Sequence, residues 1–201
     1  DVDLHASRSI SGYLDISSGK LDLGTLSMTV SSASNNGTNR FVKTSNGGKL
    51  IMPVSSTQMF FPVGNSTYAP VWITNDGTPD TISVGTTRST FSAPFGGRVK
   101  HLWSLQEFTD GGGDYTLQFG WTVSSEEPDF RNDREGNARL YLLPDTIQIG
   151  SGEYTTQFTT SPYTLARGDI NRLGDFVIGK FTEFPDAITY EKPNPLGFEL
   201  S

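Results

Sequence analysis

Two histidines, His5 and His101, and no cysteine leave carboxylates as the main source of chemistry in this chain of 201 residues. That inventory disfavours a zinc or copper site, which draws chiefly on imidazole and thiolate ligands. Glu107, Glu126, Glu127, Asp129 and Glu135 are the carboxylates that could supply a glycosidase pair, which needs two carboxyl groups at a fixed separation in unlike environments. Four of them share one acidic loop, "SSEEPDFRNDREGN" at 124–137, where solvated charge is the ordinary outcome. No acid/base pair placed by rigid strands is visible, and the expectation is a protein that is not an enzyme. Calcium fits the residue types better. Asp110, Asp114, Glu126, Glu127, Asp129, Asn132 and Asp133 offer hard oxygen ligands, and the glycines of "TDGGGDY" at 109–115 let carbonyls turn inward. EF-hand spacing is absent, and solvated loops are the competing reading.

Aromatic side chains offer a second kind of chemistry, the stacking of sugar faces. Trp72 lies between Val71 and Ile73, so on a strand it points away from the face those two bury. Tyr68 and Tyr163 are candidates to join it; the alternative is that Trp72 is covered by a loop, a tail or another subunit. "NGT" at 36 and "NST" at 65 match the acceptor pattern for N-glycosylation. His101 is expected to pack in a strand beside Trp103.

The elements that must carry these residues show a period of two. In residues 10–31 the apolar positions fall in short bursts, Leu14 and Ile16, then Leu21 and Leu23, then Leu26, Met28 and Val30, separated by Gly19 and Gly24. Strands that short suit stacked solenoid rungs, and equally a hairpin at the edge of a sheet. From residue 40 the bursts lengthen, with turn residues between them. In "YTLQFGWTV" one face carries Tyr115, Leu117, Phe119, Trp121 and Val123, which makes these the expected core. Pro62 and Pro70 belong at strand ends, and Gly64 and Gly77 at turns. The expected fold is all-β with very little helix: an antiparallel β-sandwich, Ig-like or jelly-roll-like, at 40–181, preceded by a short β-solenoid-like or hairpin segment at 1–39. Residues 182–201 hold three prolines and are expected to form an arm or linker.

Asp and Glu outnumber Lys and Arg 22 to 15, a net charge of −7 that argues against a nucleic-acid partner, since such proteins begin from a basic footprint. No apolar run is long enough to span a bilayer. The chain begins "DVDLHASRS", without the features of a signal peptide, so either one has been removed or the sequence is a fragment. The absence of cysteine rules out a disulfide framework and leaves burial and hydrogen bonding to hold the fold.

"RFVKTSNGGKLIMPV", "FFPVGNSTYAPVWITNDGTPDTISV", "VKHLWSLQE", "DYTLQFGWTVSSE" and "GDFVIGKF", in this order, resemble a β-sandwich module common in large secreted surface proteins of the Bacteroidetes. The resemblance covers about residues 40–181, and "YLDISSGKLDLGTLSMTV" is similar to the glycine-punctuated repeats that often precede that module. It implies export by the type IX route, an extracellular or cell-surface location, and a role in surface architecture or adhesion; it brings no catalytic residues. Thr81 and Thr146, each within a "DTI" triplet, resemble O-glycosylation acceptors of the same bacterial group. His101 stands where the module usually has arginine, and no sorting domain is recognisable after residue 182. The expected function is a structural module that associates with copies of itself, or with neighbouring surface modules, through sheet edges or terminal arms. The alternative is an adhesin or carbohydrate-binding module.

Overall fold

The computed structural model describes residues 1–35, 37–89, 97–144, 147–150 and 153–180. The expected arm at 182–201, Asn36 and Thr146 lie outside the described residues. Within them the fold is all-β, with one short helix and one 3₁₀ turn.

The N-terminal bursts form rungs. Strands β1 (Val2–Asp3), β2 (Arg8–Ser9) and β3 (Tyr13–Ile16) make the first, and β4 (Lys20–Asp22), β5 (Ser27–Thr29) and β6 (Ser32–Asn35) lie over them in parallel. Parallel pairing decides the question the sequence left open, because a hairpin joins antiparallel strands. A third turn of chain, β7 (Phe41–Lys43) and β8 (Lys49–Val54), continues the stack, and after β9 (Met59–Phe61) the strand β10 (Val63–Gly64) closes the sheet β1-β4-β7-β10. In-register parallel strands stack like residues: Val2 stands over Leu21, Leu21 over Val42 and Val42 over Val63. Gly48 permits the close approach of neighbouring turns; a Cβ there would lie 2.8 Å from Leu23 Cβ and 2.9 Å from the Gly24 carbonyl.

The remaining strands are β11 (Val71–Asn75), β12 (Asp80–Arg88), β13 (His101–Glu107), β14 (Tyr115–Trp121), β15 (Ala138–Leu143), β16 (Ile147–Gln148), β17 (Thr155–Gln157), β18 (Tyr163–Ile170) and β19 (Asp175–Lys180), with helix α1 (Pro128–Asp133) between β14 and β15. They form two sheets. One is the antiparallel sheet β17-β18-β14-β11-β9; the other has eight strands in the order β16-β15-β19-β13-β12-β8-β5-β2. Strand β8 is the seam of the second sheet, parallel to β5 on one side and antiparallel to β12 on the other.

The two sheets meet through aromatic rings. Trp103 on β13 lies 5.1 Å from Phe119 on β14, and Phe119 lies 5.5 Å from Phe176 on β19. Tyr115, Leu117, Phe119 and Trp121 are fully buried, as their alternation requires. Val123 is not part of that face: β14 ends at Trp121, and Val123 opens the 3₁₀ turn Val123–Ser125, 41% exposed. One apolar column crosses the seam, running from Met28 to Leu50, Val84 and Leu105, all buried.

Leu50→Ala is expected to cost about 2–5 kcal/mol, because it opens a cavity within that column. Urea or thermal unfolding of the purified protein measures it.

Candidate functional site

The carboxylates proposed for calcium are not brought together. The Glu126 side chain is fully buried and holds three partners: Trp121 Nε1 donates to one oxygen at 2.9 Å, and Arg134 and Arg131 donate to the other at 2.7 and 3.3 Å. It anchors α1, whose Phe130 packs edge-on against Trp121. Glu127 pairs with Arg98 at 3.3 Å, and Asp133 with Lys180 and Asn137. Asp129 is exposed in the first turn of α1. Asp110 and Asp114 belong to the glycine loop between β13 and β14. Among the described residues no three acids or histidines converge at metal-binding distance. The acidic segment is in part an internal salt-bridge network, since Arg131 and Arg134 fold back from α1 onto Glu126.

The glycine loop is held by Asn75. Its carboxamide oxygen accepts from the backbone N–H groups of Gly77 and Asp114, both at 3.0 Å, and its amide donates to the Thr78 carbonyl at 2.7 Å. Two backbone bonds, Asp76 N–H to the Asp114 carbonyl and Thr78 N–H to the Gly112 carbonyl, complete the clamp. Glycine is required at 77, where a Cβ would lie 2.2 Å from the Gly112 oxygen. The residues "NDGT" therefore tie two loops together.

The three aromatics proposed for sugar binding lie in different surroundings. Tyr68 is only 5% exposed, its ring 5.9 Å from that of Phe41, and has its hydroxyl pKa pushed up to about 12 chiefly by burial; it has no face to offer a ligand. Tyr163 is half-buried under the Arg134 guanidinium, 4.3 Å from the ring centroid. Trp72 is half-buried too, on the opposite face of β11 from Val71 and Ile73, and stacks on Phe60 at 5.1 Å. Asn65 is likewise no accessible glycosylation acceptor, being buried with its amide bonded to His101. Thr81 lies half-buried in β12.

His101 packs against Trp103, with ring centroids 5.3 Å apart, as expected for a buried strand histidine. Its polar partners come from distant parts of the chain: Asn65 Nδ2 lies 3.0 Å from Nδ1, while Ser125 Oγ and Thr67 Oγ1 lie 2.9 and 3.3 Å from Nε2. Serine, histidine and asparagine in this sequence suggest nucleophile, base and orienting group. The tautomer opposes that role. Asn65 Oδ1 accepts from the Thr67 backbone N–H at 3.1 Å, which fixes the amide orientation, so Nδ2 must donate to His101 Nδ1. Nε2 then carries the hydrogen and donates to Ser125, and it cannot take that serine's proton. Sequence reading found His101 and Trp103 but not this network, because no local pattern links residues 65, 67, 101 and 125.

The first rung is the most distinctive exposed feature. Its strands β1, β2 and β3 are the end strands of three different sheets, so among the described residues each has one edge without a partner, on the same end of the stack. Val2 is 66% exposed at the end of a column whose inner members Val42 and Val63 are fully buried. Ile10, one residue beyond the Ser9–Thr29 pair, is 47% exposed at the start of a column that continues through Val30 and Met52 to Ile82. Two interior columns thus end in exposed apolar side chains.

No family model matches the chain, and no match was found among the curated proteins or the solved structures.

Burial pushes the His101 pKa down from 6.5 to about 3, so between those values the unfolded chain binds a proton that the folded protein excludes. The stability this residue contributes is complete above about pH 6.5 and declines as pH falls towards 3. Melting temperatures of wild type should accordingly fall more steeply across this range than those of His101→Gln; parallel curves would assign the acid sensitivity to other groups. Gly77→Ala should destabilise by about 2 kcal/mol in the same assay, since its Cβ meets the facing loop's backbone.

Proposed function

We propose that this protein is a non-enzymatic extracellular structural module that associates with other copies of itself through exposed strand edges. The observation that carries the proposal is the first rung, where exposed Val2 and Ile10 lie beside strand edges that have no partner among the described residues. Solenoids stack repeats because one rung cannot bury its own apolar face, so the apolar end of a column is completed by a further layer of chain. Here Val2 and Ile10 extend interior columns to the surface beside three open strand edges. Strand addition from a second copy satisfies the edge N–H and C=O groups and covers the apolar column ends together. A head-to-tail contact of this kind propagates into a fibre when its rotation does not close. The five-stranded sheet and the antiparallel part of the eight-stranded sheet serve in this proposal as the layers of an open sandwich, a stiff body behind the joining end. The extracellular setting rests on the resemblance of the motifs at 40–181 to a module of secreted surface proteins.

A second reading, adhesion through a glycan, is favoured by one observation, the half-buried Trp72 stacked on Phe60. Stacking of a sugar on that pair would be abolished in Trp72→Ala without altering the mass of the protein in solution.

Sedimentation and light scattering over a range of concentrations test the first reading. Wild type is expected to assemble with rising concentration, and Val2→Lys combined with Ile10→Lys to require at least about ten-fold higher concentration, the effect of removing roughly 1.4 kcal/mol from a contact. A wild-type protein that stays monomeric throughout, or a variant that assembles equally well, would overturn the proposal. Deleting residues 183–201 asks in the same assay whether the C-terminal segment takes part.

A further inference from the structure

A small polar cavity of about 150 Å³ opens above the His101 network. Its walls include Arg88, Lys100, Ser66, Thr67 and Ser124, with His101 at its base. The two cations are placed by the ladder between β12 and β13: Arg88 is the cross-strand partner of His101, and the Lys100 carbonyl accepts from the Ser89 N–H at 3.2 Å. The Lys100 N–H in turn donates to the Ser125 carbonyl at 2.7 Å. Among the described residues no carboxylate forms an ion pair with Arg88 or Lys100. Among the described residues around the cavity none is acidic, and none is Phe, Tyr or Trp.

Hydrogen-bond direction adds to the positive charge. Because Asn65 donates to Nδ1, His101 donates from Nε2 to Ser125, and the protons of the hydroxyl cluster are displaced outward. Ser125 Oγ lies 3.0 Å from Thr67 Oγ1 and 3.2 Å from Thr122 Oγ1, and Thr122 Oγ1 lies 3.0 Å from Ser124 Oγ. A chain of hydroxyls that begins by accepting ends with a proton to give. The cavity therefore combines two cations lacking carboxylate partners with hydroxyl donors, in a protein whose net charge is −7.

We propose that this cavity binds a tetrahedral oxyanion, a sulfate or phosphate group. Guanidinium and ammonium groups supply charge-assisted bonds, as they do wherever such anions are held, and the hydroxyls complete the coordination. With no Phe, Tyr or Trp among the described residues of its lining, the cavity directs recognition to the anion itself rather than to a sugar face. This site is separate from the first rung and does not depend on the self-association proposal.

Chemical-shift titration of the full chain with potassium sulfate and with potassium phosphate, against potassium chloride at matched ionic strength, tests the inference. The expected result is a saturable shift of the amides of residues 65–67, 88, 100–101 and 124–125 with the oxyanions but not with chloride. Arg88→Gln and Lys100→Gln should each weaken binding about ten-fold or more, the loss of one charge-assisted bond, while melting like wild type. Glucose 6-sulfate in a third titration distinguishes the source: tighter binding than inorganic sulfate identifies an ester group, and weaker binding a free ion. Shifts that chloride reproduces, or affinities unchanged in both variants, would overturn the proposal.

Discussion

Register at β8 is the constraint on which the rest of the structure depends. This strand receives parallel hydrogen bonds from β5 and antiparallel ones from β12, and both pairings must present the same alternate residues to the interior. They do: Leu50 faces Met28 on one side and Val84 on the other, and all three are buried. A slip of one residue on either side would turn Lys49 and Ile51 inward and expose the core set. Part of the solenoid-like region and the antiparallel strands β12, β13, β19, β15 and β16 are consequently one continuous sheet. Thr44 reinforces the join, its hydroxyl accepting from the Thr86 backbone N–H at 2.8 Å between the third rung and β12.

Polar groups in the interior serve geometry. Glu126 fixes α1 over Trp121, Asn75 clamps two loops, and His101 gathers three segments while remaining neutral. Each is buried, and each is bonded on its exposed lone pairs or protons, as burial of a polar group demands. Glu126 illustrates the asymmetry of buried charge. Its two arginines compensate it well enough to be kept, but removing the carboxylate would leave Arg134, itself largely covered, without its counter-ion.

Alternation made much of this fold legible. The buried faces of β11 and β14, the glycine corners of the first rungs and the strand-end positions of Pro62 and Pro70 all follow from local rules that need no knowledge of partners. Strand direction did not follow, because two short bursts satisfy a rung and a hairpin alike; only the pairing of Val2 with Leu21 and Tyr13 with Ser32 separates them. Side-chain destinations were less accessible still. The acidic loop read as solvated charge or calcium ligands because composition shows the carboxylates but not that Arg131 and Arg134, five and eight positions on from Glu126, return to neutralise one of them. Tyr68 read as a surface aromatic because nothing local reports that Phe41, far back in the chain, covers it.

The in-register stacking of rungs also bears on how such a chain can change over evolutionary time. Each turn of the stack meets only its neighbours, so duplicating or deleting one whole turn before β8 would shift the far end along the axis and leave the pairing of β8 with β12 intact. Reach is thereby uncoupled from the architecture behind it. A lineage could lengthen or shorten this molecule in steps of one coil without redesigning a single contact among its aromatic layers.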